Sequence, residues 1–200
     1  MRISAIKQQV KRTDRYSIFV DGKYTFSLSE SELIRTGAHS GQELTKTELE
    51  KFKDTSKLDK VYGLVINLVV RRPRSDREIR DYLRRKGYDE GVTTAILNKL
   101  SNNGLVNDEA FARSWVENRR LLKPTSLRKL KLELRQKGIS DDIVSQVLEA
   151  DDTTDIDTLK EMIIRKRRQT KYQDDVKLMQ YLARQGFGYS DIKSALSSDI

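Results

Sequence analysis

The stretch Arg84–Tyr88, RRKGY, has a counterpart about fifty positions on in Arg135–Ile139, RQKGI, and a third in Ala183–Phe187, ARQGF. Each holds a glycine followed by an apolar residue. Apolar residues also stand four and eight places before every glycine: Leu83 and Ile79, Leu134 and Leu130, Leu182 and Leu178. That spacing is one face of a helix, and the glycine is the residue that ends a helix in the left-handed conformation, with the next apolar side chain folding back on the last turn. A short amphipathic segment follows each time, through Val92, Ile96 and Leu97, through Ile143, Val147 and Leu148, and, after a one-residue insertion, through Ile192 and Leu196.

A helix with an acidic start precedes each glycine helix: Asp59 to Arg72, Asp108 to Leu122 and Asp155 to Gln169. A three-helix unit is thus written three times, at about 59–103, 108–150 and 155–198. A single unit of this size offers little burial, so the units are expected to stack on one another. The expected fold is mainly α, with tandem three-helix repeats in an elongated curved array over 59–200 and a small β-hairpin and short-helix module over 1–56.

That module differs in kind. Arg15 to Glu30, RYSIFVDGKYTFSLSE, alternates apolar Tyr16, Ile18 and Val20 before Asp21-Gly22, and Tyr24, Phe26 and Leu28 after it. Period two around Asp-Gly predicts a hairpin with a type I′ turn. Arg2 to Val10 supplies a candidate third strand. Ser29–Glu32 and Thr45–Glu48 read as capping boxes that start helices near 30–36 and 46–53.

Composition narrows the function classes. The chain has 200 residues, no cysteine and one histidine, His39, which sits in a glycine-flanked loop and reads as a solvent residue. Neither a disulfide framework nor a zinc site is expected, and no metal or cofactor. Asp151, Asp152 and Asp155 lack calcium-loop spacing and read as helix-start carboxylates. No phosphate loop, Ser/His/Asp set or paired carboxylates appears, so an enzyme is not expected. No apolar run approaches the length of a membrane span, and a cytoplasmic protein with no membrane association is the expectation. The formal charge of +9, with 34% charged and 36% hydrophobic residues, describes a basic folded protein suited to an acidic partner, nucleic acid first.

Register separates binding charge from ordinary charge. Acids crowd the helix starts and bases the helix ends, as the helix dipole favours, and Arg85 and Lys86 need no other reason. Arg77, Arg80 and Arg84 lie ten, seven and three places before Gly87, and Arg128, Lys131 and Arg135 lie at the same offsets before Gly138. Each trio forms a stripe away from the apolar face. The third repeat has Val176, Met179 and Ala183 there, and its helix is expected to bury that face. The six cations are the candidate partner- and nucleic-acid-binding residues. Trp115, on a face with Phe111 and Ala112, reads as core.

Three stretches carry a family resemblance: Arg72–Gly87 (RPRSDREIRDYLRRKG), Gly104–Arg113 (GLVNDEAFAR) and Leu130–Ile139 (LKLELRQKGI). They resemble the RecX family of RecA-modulating proteins over about 59–198, and the hairpin module resembles the extension found in longer members. Asn107 stands where an aspartate is common, and Arg120–Thr125 lacks the glycine-rich connection often seen there. The resemblance implies a tandem helical-repeat protein that inserts along the groove of a RecA filament on DNA and inhibits or tunes strand exchange and co-protease activity. It implies no catalytic residue. Beside this reading, a monomeric regulator of a filament, stand a DNA-binding protein using a helix-turn-helix-like pair and a helical-repeat adaptor for another acidic protein.

Overall fold

The structure, a computed structural model, describes residues 1–197. Three strands, β1 (Ile3–Gln8), β2 (Arg15–Val20) and β3 (Lys23–Ser29), form an antiparallel sheet in that order. The helices follow as α1 (Glu30–Thr36), α2 (Lys46–Val69), α3 (Asp76–Arg85), α4 (Glu90–Asn102), α5 (Asp108–Leu122), α6 (Leu127–Gln136) and α7 (Asp141–Glu149). Then come α8 (Asp155–Arg167), a 3-10 turn (Thr170–Tyr172), α9 (Asp175–Arg184) and α10 (Tyr189–Ser197). The ends expected for the last repeat and its domain, at 198 and 200, lie outside the described residues. Among those residues no helix is long and apolar enough to cross a membrane. The chain forms two compact units, 1–73 with 83–105, and 74–82 with the residues from 106 onward.

In the first unit the predicted hairpin forms on Asp21 and Gly22, whose φ angles of 48° and 79° are the pair that a type I′ turn requires. A register shift between Ile18 and Phe19 breaks the alternation. Ile18, Val20, Phe26 and Leu28 are buried, whereas Tyr24 turns outward and meets the Phe19 ring edge-on at 6.1 Å.

One helix replaces the two expected at 46–53 and 59–72. No glycine or proline interrupts α2 near 54–58, and the polar residues that blur its apolar pattern are bound to the sheet. Ser56 Oγ donates to the Ser27 carbonyl at 2.7 Å. Asp59 accepts from the Ser29 amide and hydroxyl at 2.8 and 2.7 Å and pairs with Arg15 at 2.9 Å. Sequence periodicity cannot show such buried polar partners, because they look like solvent residues until the sheet edge is in place.

The two capping boxes also part ways. Thr45 and Glu48 exchange both bonds. Ser29 caps Glu32, but the Glu32 carboxylate, 5% exposed, turns to Arg35 and to Lys99 of α4. Burial pushes the Glu32 carboxyl up, and the hydrogen bonds and charges of Arg35 and Lys99 outweigh it, so its pKa lies below the ordinary 4.5. A lowered folded-state pKa contributes stability that is present above the unfolded value and lost as pH falls through the folded one. Glu32→Gln is therefore expected to lower stability by about 1–2 kcal/mol at neutral pH, with Lys99 and Arg35 partly screened by water, and to flatten the acid loss below about pH 4.5. Urea denaturation of both proteins at neutral and acid pH measures this, and parallel acid profiles would remove Glu32 as the cause.

In the second unit each repeat closes its own apolar core. Phe111, Ala112 and Val116 meet Leu130, Leu134, Ile139, Val144 and Val147. Leu159, Met162 and Ile163 meet Leu178, Leu182, Phe187, Ile192 and Ala195 in the same order. Each of these repeats thus has a core of its own, and the seams where successive repeats meet are polar. Ser75 Oγ, at the start of α3, donates to the Lys137 carbonyl at 2.7 Å, and Thr125 Oγ1, at the start of α6, donates to the Gln185 carbonyl at 2.8 Å. The Asp76 amide bonds Asp108 at 2.8 Å, and the Leu127 amide bonds Asp155 at 2.7 Å. The acidic first residues of α5 and α8 therefore cap the helix of the preceding repeat. Burial holds the Asp108 carboxyl above its ordinary range, although the Asp76 amide opposes this.

The glycines with which the sequence reading began have φ angles of +81°, +83° and +95°, as left-handed caps require. Two of them have a further reason. A Cβ on Gly138 would lie 2.4 Å from Arg77 Cβ, and one on Gly186 would lie 2.4 Å from Ser126 Oγ, whereas nothing stands within 4 Å at Gly87. The preceding repeat leans on the bare backbone of the next.

Candidate interaction surface

The stripe is built on α3 and α6 because their apolar sides are fully committed: Ile79, Leu83, Leu130 and Leu134 are all 0% exposed. The opposite sides, at offsets ten, seven and three before the capping glycine, must face outward. Arg77, Arg84, Arg128 and Arg135 are exposed, and Arg80 and Lys131 are half-buried.

The six are not electrostatically equal. Arg80 bonds Asp76 at 2.6 Å, one turn back on its own helix. Arg135 bonds Asp141 at 2.6 Å across the Gly138 cap, and that bond holds the Asp141 carboxyl below the ordinary carboxylate range, with Lys131 adding to the effect. Arg77 and Arg128, the two residues ten before the glycine, form no ion pair among the described residues. Arg77 carries a second task, since its stem covers Gly138. Arg128 has no such contact, which makes it the cation of the six most open to an incoming anion. Arg135–Asp141 is a solvent-exposed pair, screened by water, so a phosphate or partner carboxylate can take over the guanidinium at little cost.

The third repeat departs from the expectation. Val176 is 62% exposed and Ala183 is exposed too, and only Met179 packs on the core. The helix α9 has lost its charge there without burying that face.

Two further clusters escaped the sequence reading. Trp115 packs beside Phe111 with ring centroids 5.8 Å apart, but its indole reaches a polar seam. Its Nε1 donates to Glu133 at 3.0 Å, Arg119 bonds the same carboxylate at 2.7 Å, and Arg119 and Lys137 each stand 4.9 Å from the ring centroid. Lys137 also pairs with Glu78 at 2.8 Å. Arg120, which reads in sequence as helix-end charge, is 13% exposed; it bonds Asp151 at 2.8 Å, the Thr125 carbonyl at 2.9 Å and Thr158 Oγ1 at 3.0 Å. These arginines and Lys137 belong to the scaffold. Their spacing in the sequence is that of any helix end, and only the facing carboxylates tell them apart.

Models of the RecX N-terminal domain, the first RecX three-helix domain and the second RecX three-helix domain match residues 1–45, 62–100 and 107–148. The regulatory protein RecX of Listeria innocua is 36% identical over 149 residues, covering 74% of this chain and 55% of that protein. That of Bacillus velezensis is 30% identical over 148 residues, covering 74% and 56%. The chain spans about half the length of these relatives. A crystal structure of a regulatory protein RecX covers 98% of this chain and 99% of its own at 27% identity and a TM-score of 0.76. RecX from Lactobacillus salivarius covers 70% and 94% at 25% identity and a TM-score of 0.58.

Proposed function

This chain belongs to the RecX family, and from that premise we propose that it is a regulator that binds the RecA–DNA nucleoprotein filament and restrains strand exchange, ATP hydrolysis and co-protease activity. The role places it in the cytoplasm, in homologous recombination, DNA repair and the SOS response. The observation that supports it is the stripe: cations at three matching offsets on α3 and α6, with Arg77 and Arg128 unengaged by any carboxylate among the described residues. A regular row of outward cations suits a partner whose acidic groups recur along its length, as they do on a filament carrying DNA. Binding and steric restraint need no catalytic group, cofactor or metal, and a monomer suffices.

Co-sedimentation with RecA assembled on single-stranded DNA, beside naked DNA, tests the reading. Selective capture by the filament is the expected result. Equal capture by naked DNA points to a DNA-binding protein, no capture points to an adaptor for another acidic protein, and unchanged RecA ATP hydrolysis in excess protein would sink the regulatory role.

The stripe makes its own prediction. If all six cations meet duplex phosphates, log affinity should fall with log salt at a slope of about −5.4, and Arg128→Ala with Lys131→Ala should bring it to about −3.6 while leaving the denaturation midpoint in place. Arg128 and Lys131 are the better test because neither covers a glycine, as Arg77 does. A parent slope shallower than about −1 removes phosphate contact as the purpose of the stripe.

A further inference from the structure

The third repeat lacks the stripe but concentrates charge elsewhere. A cleft of about 330 Å3 opens where the end of α5 and its following loop meet α8 and α9. Met162 and Pro124, both buried, contribute its bottom, and Tyr181 contributes an aromatic side. Three cations line it, Lys123, Arg165 and Lys166, against one carboxylate, Glu161. None of the three forms an ion pair among the described residues. Lys166 is held in place, 4.6 Å from the Tyr181 centroid and 5.3 Å from that of Tyr172. The neighbouring Arg167 is used differently, bonded to the carbonyls of Tyr172 and Gln173 and to Asp175. Within the basic run Arg165–Arg168, Arg167 is thus structural, whereas Arg165 and Lys166 face a cavity.

An apolar bottom, an aromatic side and three cations in no ion pair among the described residues suit a ligand that joins a flat apolar face to an anion. We propose that this cleft is a subsite for single-stranded nucleic acid, which takes one base against Met162, Pro124 and Tyr181 while Lys123, Arg165 and Lys166 hold the adjacent phosphates. The volume is at the lower end of ligand sites, which suits a small ligand portion such as one base with its phosphate. A base stacks on an aromatic whatever its identity, and the backbone supplies the charge at each step. In a duplex the bases are stacked away, so the cleft selects the single strand. An acidic peptide would satisfy the cations but leave the aromatic side without a flat partner.

Fluorescence anisotropy of the full chain with a labelled oligothymidylate, and with the same strand made abasic, tests this without any recombinase; binding of the free strand that is weaker than capture by the filament leaves the filament reading in place. The base-bearing strand should bind about tenfold more tightly, the effect of one stacked base. Tyr181→Leu should abolish that preference, and Arg165→Ala with Lys166→Ala should weaken both strands and reduce the salt slope by about 1.4. Lys123→Glu, an exposed change that spares the core, should weaken both strands. The variant Arg128→Ala with Lys131→Ala should keep the preference for bases. Equal affinity for the two strands, survival of the preference in the Tyr181 variant, an unchanged salt slope in the Arg165/Lys166 variant, or displacement of the base-bearing strand by an acidic peptide but not by unlabelled oligothymidylate would each overturn the proposal.

Discussion

Gly138→Ala is expected to destabilise the protein by about 2–5 kcal/mol, and Gly87→Ala by only about 1–2 kcal/mol, although the two glycines occupy the same place in successive repeats. Both have φ near +80°, which alone costs an alanine the smaller amount. At Gly138 the new methyl also meets Arg77 Cβ and Cδ at 2.4 Å. The Cβ cannot swing away as a side-chain tip can, so α3 or the α6 cap must shift, and with it the Ser75–Lys137 bond and the Glu78–Lys137 pair. Urea denaturation followed by far-UV circular dichroism compares the two variants. The fluorescence of Trp115, the sole tryptophan, reports the Gly138 seam directly, because Lys137 stands over its ring. Arg77→Gly should recover part of the loss in the Gly138→Ala background, whereas Arg77→Ala, which keeps the Cβ, should not. Equal losses at Gly87 and Gly138 would show that the seam yields freely.

The second large effect is expected at Asp59. Its side chain is 4% exposed, and that of Arg15, its partner at 2.9 Å, is 3% exposed. Asp59→Ala leaves the guanidinium buried with only the neutral Ser27 carbonyl and hydroxyl, at 3.1 and 3.3 Å, and strips the Ser29 amide and hydroxyl of their acceptor. Breaking such a pair from one side costs about 3–5 kcal/mol. Removing both charges together, as Arg15→Met with Asp59→Leu, should cost less than Asp59→Ala alone, because no unpaired ion remains in the interior. A loss below about 1 kcal/mol for Asp59→Ala would mean that water reaches the pair.

The legible parts of this protein were those written in local spacing. Ile79 and Leu83 before Gly87, and their counterparts before Gly138 and Gly186, repeat a face and a cap that depend only on neighbours within two helical turns. Asp21-Gly22 did the same for the hairpin. The illegible parts were contacts between distant residues of polar type. Asp59 and Ser56 look like helix-surface residues, and their bonds to Ser29 and Ser27 span about thirty positions. The extra residue on β3, Thr25, stands between Phe26 opposite Ile18 and Tyr24 opposite Phe19, and it turned Tyr24 outward against the period-two pattern. The stripe was legible as positions, but its inequality only in part: Asp76 claims Arg80 at the i,i+4 spacing that a sequence shows, whereas Asp141 claims Arg135 across the turn at Gly138, which helical spacing does not show.

The sequence by itself determined the helical repeats, the hairpin and the rows of cations, since periodicity and capping are properties of consecutive residues. Tertiary structure alone decided which charges are spent. Arg15, Arg120 and Lys137 went to carboxylates of the scaffold, Arg167 to the turn after α8, and Arg165 and Lys166 to the wall of a cleft. A cation's availability depends on what the fold brings within a few ångströms of it, and that is set by packing between segments far apart in the chain.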